Sequence, residues 1–204
     1  MSGKHDLRVQ KTLAAIESAF FTLLERKNAY NVTVTDITQT ALIGRSTFYK
    51  HYLDMPDLIE RIVGIYVKKF VRPTWDYNRL IEPVGAMEFY TSYFENVEKH
   101  RNKYRLLMSE NGIANFYPLA RQQGYDYYQG LFEYHRERLV VPINPHNLAV
   151  YVVSAHLGLM ENFLNYGEGR TPQEAARELV AITCGCVLKN LGLASVCFAS
   201  ERQK

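Results

Sequence analysis

Side chains that can donate hydrogen bonds crowd into one short run of the chain, from Arg45 to His51. Hydroxyl, phenol, imidazole and basic groups can donate to phosphate oxygens, and a lysine or a short hydroxyl also reaches base edges. This composition predicts contact with a nucleic acid. The candidate DNA contacts are Arg45, Ser46, Thr47, Tyr49, Lys50 and His51, with Thr33 and Thr35 as phosphate contacts from the preceding segment. The alternative is a solvated helix face with no partner.

Two short helices separated by a tight turn would hold this run in place. Thr33 can cap the first helix, and Asp36 three residues later favours the positive end of the helix dipole. A second helix that starts near Gly44 turns Phe48 and Tyr52 inward and leaves its polar side chains outside. A helix, a turn and a second helix are typical of proteins that bind in the major groove, although the same arrangement also serves as a packing motif.

The chain resembles the TetR family of transcriptional regulators in this segment. The stretches TVTDIT, ALIG and STFYKHY, at residues 33–38, 41–44 and 46–52, fall at the family's spacing. The resemblance implies an N-terminal helix-turn-helix domain, a helical C-terminal domain, and a homodimer. Because such dimers have two-fold symmetry, the expected partner is double-stranded DNA with a pseudo-palindromic operator.

Three positions depart from the family pattern. Leu42 replaces the usual turn glycine, Gly44 replaces a common serine cap, and Met55 replaces a lysine that often contacts phosphate. The first departure predicts a slightly different turn, while glycine is still an acceptable N-cap. We assign no phosphate contact to Met55.

Positive charge is concentrated at the N-terminal end. Residues 1–52 hold seven Lys or Arg against four Asp or Glu, and the remaining residues hold 17 of each. The whole formal charge of +3 therefore lies on the segment that carries the motif. This attracts a polyanion, but it is too small for a protein that coats DNA by charge alone.

Apolar residues recur at helical spacing through most of the chain, and no segment alternates like a strand for long. This predicts an all-α fold of about nine helices. We expect a DNA-binding domain over residues 1–53 and a helical effector-binding and dimerisation domain over residues 54–204. The predicted helices outside the motif span residues 8–27, 54–70 (stopped by Pro73), 84–100, 103–110, 115–138, 147–166 and 172–191.

Two C-terminal helices, near 147–166 and 172–191, are suited to association. The first is apolar around most of its circumference, and the second carries small residues such as Ala175 and Gly185 that permit close helix approach. The family resemblance implies a four-helix dimer interface here, and the alternative is a buried central helix in a monomer. A looser likeness over 85–190 is to the subgroup that includes the regulator of bacterial dihydroxyacetone kinase genes.

Aromatic side chains are plentiful, with 15 tyrosines and ten phenylalanines. Aromatic walls with a few hydroxyl groups suit a small, mainly apolar or aromatic effector. The candidate pocket residues are Tyr90, Tyr93, Phe94, Phe116, Tyr127, His156, Met160 and Phe163, with Tyr117 and Tyr128 as wider candidates. Packed core is the alternative for each. His156 is a lone ionisable group on an apolar helix, where a hydrogen-bonded core histidine is the alternative to a ligand contact.

Sequence signatures of catalysis are absent. There is no GxxxxGK[ST] loop, no HExxH and no GxSxG, and the histidines of the later helices lack metal-ligand spacing. We therefore expect no catalytic residues, no metal and no cofactor. Cys184, Cys186 and Cys197 are expected to be small reduced core residues, and the lack of a long apolar run predicts a cytoplasmic protein without a membrane partner.

These observations predict a sequence-specific DNA-binding transcriptional regulator. A dimeric repressor released by a small-molecule effector is favoured, because occupying a promoter needs no further contact surface. Two alternatives stay open. One is a DNA-bound adaptor or activator that recruits a protein partner without an effector, and the other is a helical enzyme.

Overall fold

A computed structural model describes residues 2–71, 85–167 and 169–193. Over these ranges the chain forms nine α-helices and no strand, which confirms the predicted all-α fold. The helices are α1 (Ser2–Leu24), α2 (Val34–Thr40), α3 (Arg45–Tyr49), α4 (Met55–Val71), α5 (Ala86–Lys99), α6 (Arg101–Met108), α7 (Phe116–Tyr134), α8 (Pro145–Tyr166) and α9 (Pro172–Val180).

The last helix departs from the prediction. The chain was expected to continue as one α-helix through residue 191, but from Ala181 to Leu188 it is a π-helix. This segment, AITCGCVL, contains a glycine and three β-branched residues, which are weak α-helix formers, so the wider turn costs less here. The predicted stop of α4 at Pro73 lies outside the described residues.

Two compact units divide the chain. Unit 1 comprises Met1–Val67 and Asn102–Phe116, and unit 2 comprises Lys68–Arg101 and Tyr117–Lys204. Compactness and function are different criteria, so the functional boundary between residues 53 and 54 stays a prediction.

A half-buried carboxylate ties three helices of unit 1 together. Glu17 on α1 accepts hydrogen bonds from the Tyr66 hydroxyl on α4 at 2.7 Å and from Lys103 Nζ on α6 at 2.6 Å. Burial and the Glu17 carboxylate raise the pKa of Tyr66. A further bond joins the segment before α2 to the segment after α6, because Ala29 N donates to Asn111 O at 2.8 Å. Unit 1 therefore holds its N-terminal helices against a later part of the chain.

In unit 2, α5 packs along α9, and α8 contacts both. Arg101 closes the C-terminal end of α8 by donating to Phe163 O at 2.8 Å and to Leu164 O at 2.6 Å. Its guanidinium also lies 4.8 Å from the centroid of the Phe163 ring. The start of α9 has a capping box, with Thr171 and Glu174 as reciprocal partners.

The remaining composition-based predictions concern cysteines and metal or membrane association. Cys184 is buried but Cys186 is exposed, so the prediction of a core position is wrong for Cys186; Cys197 lies outside the described residues. In the described ranges no helix is long and apolar enough to cross a membrane. Nor do the described His, Cys, Asp and Glu residues form a group of three that could hold a metal ion.

Candidate nucleic-acid interface and ligand cavity

A reciprocal capping box fixes the start of α2. Thr33 Oγ1 accepts from Asp36 N at 3.2 Å, while Thr33 N donates to Asp36 Oδ2 at 2.8 Å. Lys27 Nζ, just beyond α1, also donates to Asp36 Oδ2 at 2.6 Å. The Lys27 hydrogen bond, followed by the two bonds from Thr33, lowers the pKa of Asp36 to about 2. The carboxylate thus both caps α2 and pairs with the end of α1.

The turn between α2 and α3 contains an unusual leucine. Leu42 has a φ of 54°, a left-handed conformation that glycine adopts without steric cost. Ile43 N donates to Thr38 O at 3.0 Å and Leu42 N donates to Gln39 O at 3.3 Å, which is the Schellman pattern of helix termination. The Leu42 side chain is 91% exposed, so no packing compensates the strain. The altered turn that the sequence indicated is a leucine held where a glycine is usual.

Helix α3 separates an apolar face from a polar one. Gly44 caps it, and Phe48 is completely buried with its ring against Tyr49 and Tyr52. Arg45, Ser46, Tyr49 and Lys50 are exposed, and Thr47 and His51 are half-buried. The structure thus brings the six candidate contacts of this run to α3 and the turn after it.

The two candidate contacts on α2 have partners within the motif. Arg45 Nη2 donates to Thr35 Oγ1 at 2.7 Å, which joins the start of α3 to α2. The Thr33 hydroxyl is engaged with Asp36 in the capping box. A phosphate contact from either threonine therefore has to be made alongside these bonds or in exchange for them.

A capped helix follows α3 directly. Asp57 N donates to Asp54 Oδ1 at 2.9 Å, and Leu53 N donates to Asp57 Oδ2 at 2.9 Å. The Leu53 amide and then Arg61, whose Nε donates to Asp57 Oδ1 at 2.8 Å, lower the pKa of Asp57. Arg61 also lies 5.3 Å from the centroid of the Tyr52 ring. These bonds fix the start of α4 relative to the end of α3.

Unit 2 contains a cavity between α5, α7 and α8. Its lining residues are Phe89, Tyr90, Tyr93, Ala120, Gly124, Tyr127, Tyr128, Val153, His156 and Leu157. The cavity volume is about 40 Å³, which is room for roughly two or three water molecules. A drug-sized ligand occupies several hundred cubic ångströms, about 300 or more, so the walls must move to admit one.

Four of the eight candidate pocket residues line this cavity, namely Tyr90, Tyr93, Tyr127 and His156. The other four, which are Phe94, Phe116, Met160 and Phe163, are buried core side chains outside the lining. Phe94 packs its ring on that of Phe163 at 5.0 Å, and Met160 Sδ accepts a bond from the Tyr93 hydroxyl at 3.0 Å. Phe116 packs its ring near that of Tyr104, at 6.3 Å between centroids, so these four residues contribute to core packing.

A chain of hydrogen bonds runs along one wall of the cavity. The hydroxyls of Tyr90 and Tyr128 lie 3.1 Å apart, and the Tyr128 hydroxyl lies 3.2 Å from His156 Nδ1. On its other side, His156 Nε2 lies 3.0 Å from Thr183 Oγ1. Burial lowers the pKa of His156 to about 3, so the imidazole is neutral near pH 7.

Sequence reasoning missed the small residues of the lining. Ala120 and Gly124 sit where α7 approaches α8, and a Cβ added to Gly124 would lie 2.9 Å from Val153 Cγ1. Small side chains leave space between helices, but in a sequence they do not stand out from other helical alanines and glycines. Gly124, a glycine inside a helix, was the available indication of this close approach.

The two helices expected to mediate association present small and apolar groups outward. Tyr151, Ser154 and Gly158 are exposed on α8, and Ile182 and Gly185 are exposed on the π-helical segment. Of these, Tyr151 and Ile182 are the large apolar side chains, 56% and 46% exposed. This surface is suited to close contact with another helix.

Sequence comparison finds relatives among helix-turn-helix transcriptional regulators. The regulator YxbF of Bacillus subtilis is 37% identical over 59 residues, which are 28% of this chain and 16% of YxbF. A regulator of Haemophilus influenzae is 26% identical over 117 residues, which are 54% of this chain and 56% of that protein. The chain thus spans less than two thirds of the length of either relative. No family model matches it.

Solved structures with the same fold include a TetR regulator and an operon activator. A TetR regulator from Streptococcus agalactiae has a TM-score of 0.61 and 23% identity, with 89% of this chain and 98% of that chain covered. The dihydroxyacetone kinase operon activator DhaS has a TM-score of 0.54 and 16% identity, with 83% and 92% covered. These likenesses confirm, at the level of the fold, both resemblances that the sequence indicated.

Proposed function

We propose that this chain, which has the fold of TetR-type regulators, is a sequence-specific DNA-binding transcriptional regulator. The outward face of α3 carries the proposal. It presents hydroxyl, phenol, imidazole and basic groups on a helix that is capped at Gly44 and held from behind by the buried Phe48. The similarity to helix-turn-helix regulators supports a regulatory role over catalysis.

We assign base reading first to Lys50, because it is an exposed cation at the end of α3. Thr47, Tyr49 and His51 are the next contacts, and Arg45 and Ser46 follow. Thr33 and Thr35 would contact phosphates from α2. A recognition helix of this kind lies in the major groove, where base edges differ in their donors and acceptors.

The protein would act as a homodimer through α8 and the helix that begins at Pro172, the segments near 147–166 and 172–191. The exposed small and apolar groups of these segments support close helix contact. Two-fold symmetry then places two α3 helices on half-sites about one helical turn apart. We propose repression of transcription in the cytoplasm, where the operator lies.

A ligand in the cavity would change DNA affinity through α4. Asn96 Nδ2 on α5 donates to Lys69 O near the end of α4 at 2.9 Å, and α5 also supplies Phe89, Tyr90 and Tyr93 to the cavity wall. A ligand that displaces α5 would therefore pull on α4 and change the separation of the two α3 helices in the dimer. A cavity with aromatic walls favours a small, mainly apolar or aromatic effector over the adaptor alternative.

The test of this function is salt-dependent binding of the purified protein to the DNA that flanks its own gene, with random duplex as competitor. We expect tight, competitor-resistant binding by a dimer, weakened as salt rises. Equal and weak binding to both DNAs, repeated with genome-wide selected fragments, would contradict the proposal.

Lys50→Ala tests the assignment of the base reader. If Lys50 contacts a base, the change costs about 1–3 kcal/mol and relaxes preference at one operator position. The matched control is Lys68→Ala, which removes an exposed lysine from α4 and should leave the preference unchanged. Equal weakening on every sequence would reassign Lys50 to phosphate.

A further inference from the structure

The described lining of the cavity contains no formal charge. None of the ten described lining residues carries a carboxylate, an ammonium or a guanidinium group, and five of them are Phe or Tyr. His156 is neutral because it is buried. An ionic ligand would lose its hydration here without gaining a counter-charge, which is costly in a buried site. The cavity therefore favours an uncharged molecule.

The polar wall of the cavity favours a ligand group that can both donate and accept a hydrogen bond. The chain from Tyr90 through Tyr128 and His156 to Thr183 consists of three hydroxyls and one neutral imidazole. A neutral imidazole has one donor and one acceptor nitrogen, so the direction of the chain depends on its tautomer. A hydroxyl on the ligand fits either direction, whereas a ketone or ether only accepts and a hydrocarbon does neither.

The size and the edge of the cavity limit the apolar part of the ligand. The space of about 40 Å³ is small, and Phe89 and Tyr127 at its wall are only half-buried. Rotation of these two rings would enlarge the site and leave the contact between Phe94 and Phe163 intact. The enlarged site would admit one ring-sized apolar body, packed against the faces or edges of the aromatic side chains.

The far end of the hydrogen-bond chain reaches the π-helical segment. Thr183 is buried within Ala181–Leu188, while its neighbour Ile182 is 46% exposed on the outer surface. π-helical turns are rare and are often found at functional sites. His156 is thus bonded on one side to the cavity wall and on the other to this irregular segment.

We infer that the ligand is a small uncharged molecule with one ring-sized apolar body and one hydroxyl group, whose hydroxyl joins the Tyr90–Tyr128–His156 chain and is sensed at Thr183. The inference rests on the proposed function for its regulatory consequence. The ligand hydroxyl would add a further hydrogen-bond partner to the chain that ends at His156 Nε2 and Thr183 Oγ1, which lie 3.0 Å apart. The π-helical segment, one of the two proposed dimer elements, then responds to the occupied cavity.

Isothermal titration calorimetry of the full chain with four probes tests the ligand class. Phenol should bind at one site per chain, and toluene should bind about tenfold more weakly because it lacks the hydroxyl. Benzoate and tetramethylammonium, which carry opposite charges, should bind more weakly than toluene. Equal affinity for phenol and toluene, no saturable phenol binding, or tighter binding of either ion would overturn the inference.

Two tyrosine variants separate a ligand contact from a structural effect. Tyr128→Phe removes one hydroxyl of the chain, so phenol affinity should fall to that of toluene while toluene affinity stays the same. Tyr134→Phe is the matched control, because Tyr134 is 83% exposed and outside the cavity lining. An equal fall for both probes in Tyr128→Phe would show a loss of packing and contradict the assignment.

Hydrogen exchange tests the role of Thr183. Phenol should change the exchange rates of the amides in residues 181–188 of the wild-type protein, and in Thr183→Val saturating phenol should leave those rates unaltered. Unchanged rates in the wild-type protein at saturating phenol would overturn the transmission to the π-helical segment. These measurements need no DNA, so their failure is distinct from a failure to bind an operator.

Discussion

The α3 surface and the cavity use similar side chains in opposite environments. On α3, hydroxyl, phenol and imidazole groups are exposed or half-buried beside Arg45 and Lys50, within seven consecutive residues. In the cavity, tyrosines and a histidine belong to a described lining that carries no formal charge, and they come from α5, α7 and α8. Exposure with positive charge suits a polyanion, whereas burial without charge suits a neutral ligand. The same residue types therefore acquire their role from the environment that the fold provides.

The largest difference in the free energy of unfolding should appear between alanine variants of the neighbouring residues Phe48 and Tyr49. Phe48 is completely buried and Tyr49 is 56% exposed. Phe48→Ala should lower the free energy of unfolding by about 3–5 kcal/mol, because it leaves a cavity in the core of the motif. Tyr49→Ala should change it by no more than about 0.5 kcal/mol and yet weaken operator binding. Urea denaturation and DNA titration measure the two effects.

The opposite result for this pair would contradict the assignment of a buried core face and an exposed DNA-contacting face to α3. If Tyr49→Ala destabilises the protein as strongly as Phe48→Ala, its contact with the Phe48 ring, at 5.5 Å between centroids, is structural. If it changes neither stability nor operator affinity, Tyr49 is not a DNA contact.

The two regions should also respond to acid in different pH ranges. The pKa of His156 is lowered from 6.5 to about 3, so the unfolded chain binds a proton that the folded chain excludes. His156 therefore costs no stability well above pH 6.5, and stability falls as pH drops below that value. The loss should be about 2 kcal/mol between roughly pH 7 and pH 5. Urea denaturation at several pH values measures it.

Substitutions of individual residues test whether His156 causes this pH dependence of stability. His156→Gln should flatten the profile above about pH 5, whereas Asp36→Asn should not. The pKa of Asp36 is lowered from 3.8 to about 2, so its contribution is lost only as pH falls through that lower range. His135 needs a parallel His135→Gln control, because burial and Arg138 lower its pKa in the same direction. A profile unchanged in His156→Gln would show that the buried imidazole is not the source.

The helix-turn-helix motif could be predicted from the sequence because the hydrogen bonds that stabilise it join residues close together in the chain. The capping residue Thr33 and its partner Asp36 are three residues apart, and so are Thr171 and Glu174 at the start of α9. The Thr33 cap was expected from its position, and the structure adds the reciprocal bond from Thr33 N to Asp36 Oδ2. The all-α fold followed from similar short-range patterns, although α1 spans Ser2–Leu24 where residues 8–27 were predicted.

The cavity was harder to predict from the sequence, because it depends on where neighbouring helices leave space between them. Phe94 and Phe163 have the same aromatic character as Tyr90, but their rings pack on each other. Apolar periodicity marks the buried face of a helix without showing which part of that face meets empty space. The π-helix was missed for a related reason, since one extra residue per turn barely alters the pattern over eight residues.

Two helical glycines, one in α4 and one at the cavity, differ in the space available for a side chain. A Cβ on Gly64 in α4 would meet nothing within 4 Å, whereas a Cβ on Gly124 at the cavity would lie 2.9 Å from Val153 Cγ1. Gly64→Ala should therefore raise stability by up to about 1 kcal/mol through helix propensity. Gly124→Ala should lower it by about 1–3 kcal/mol through overpacking. Thermal denaturation of both variants gives the signs.

A double-mutant cycle checks the cause at Gly124. Adding Val153→Ala should recover part of the loss in Gly124→Ala, because it removes the Cγ1 atom that the new methyl group meets. Strictly additive losses would show that α7 and α8 are not in close approach at this point.

The smallest expected effect concerns the strain in the turn before α3. Leu42→Gly should raise the free energy of unfolding by about 1 kcal/mol, because glycine adopts the left-handed conformation at φ 54° without steric cost. Part of this gain is offset by the greater freedom of glycine in the unfolded chain. Leu42→Ala is the matched control, since alanine also lacks the exposed leucine side chain but keeps the strain. Equal stability of the two variants would mean that the backbone strain contributes nothing. A gain confined to glycine, with operator affinity unchanged, would show that the turn tolerates leucine at a cost in stability alone.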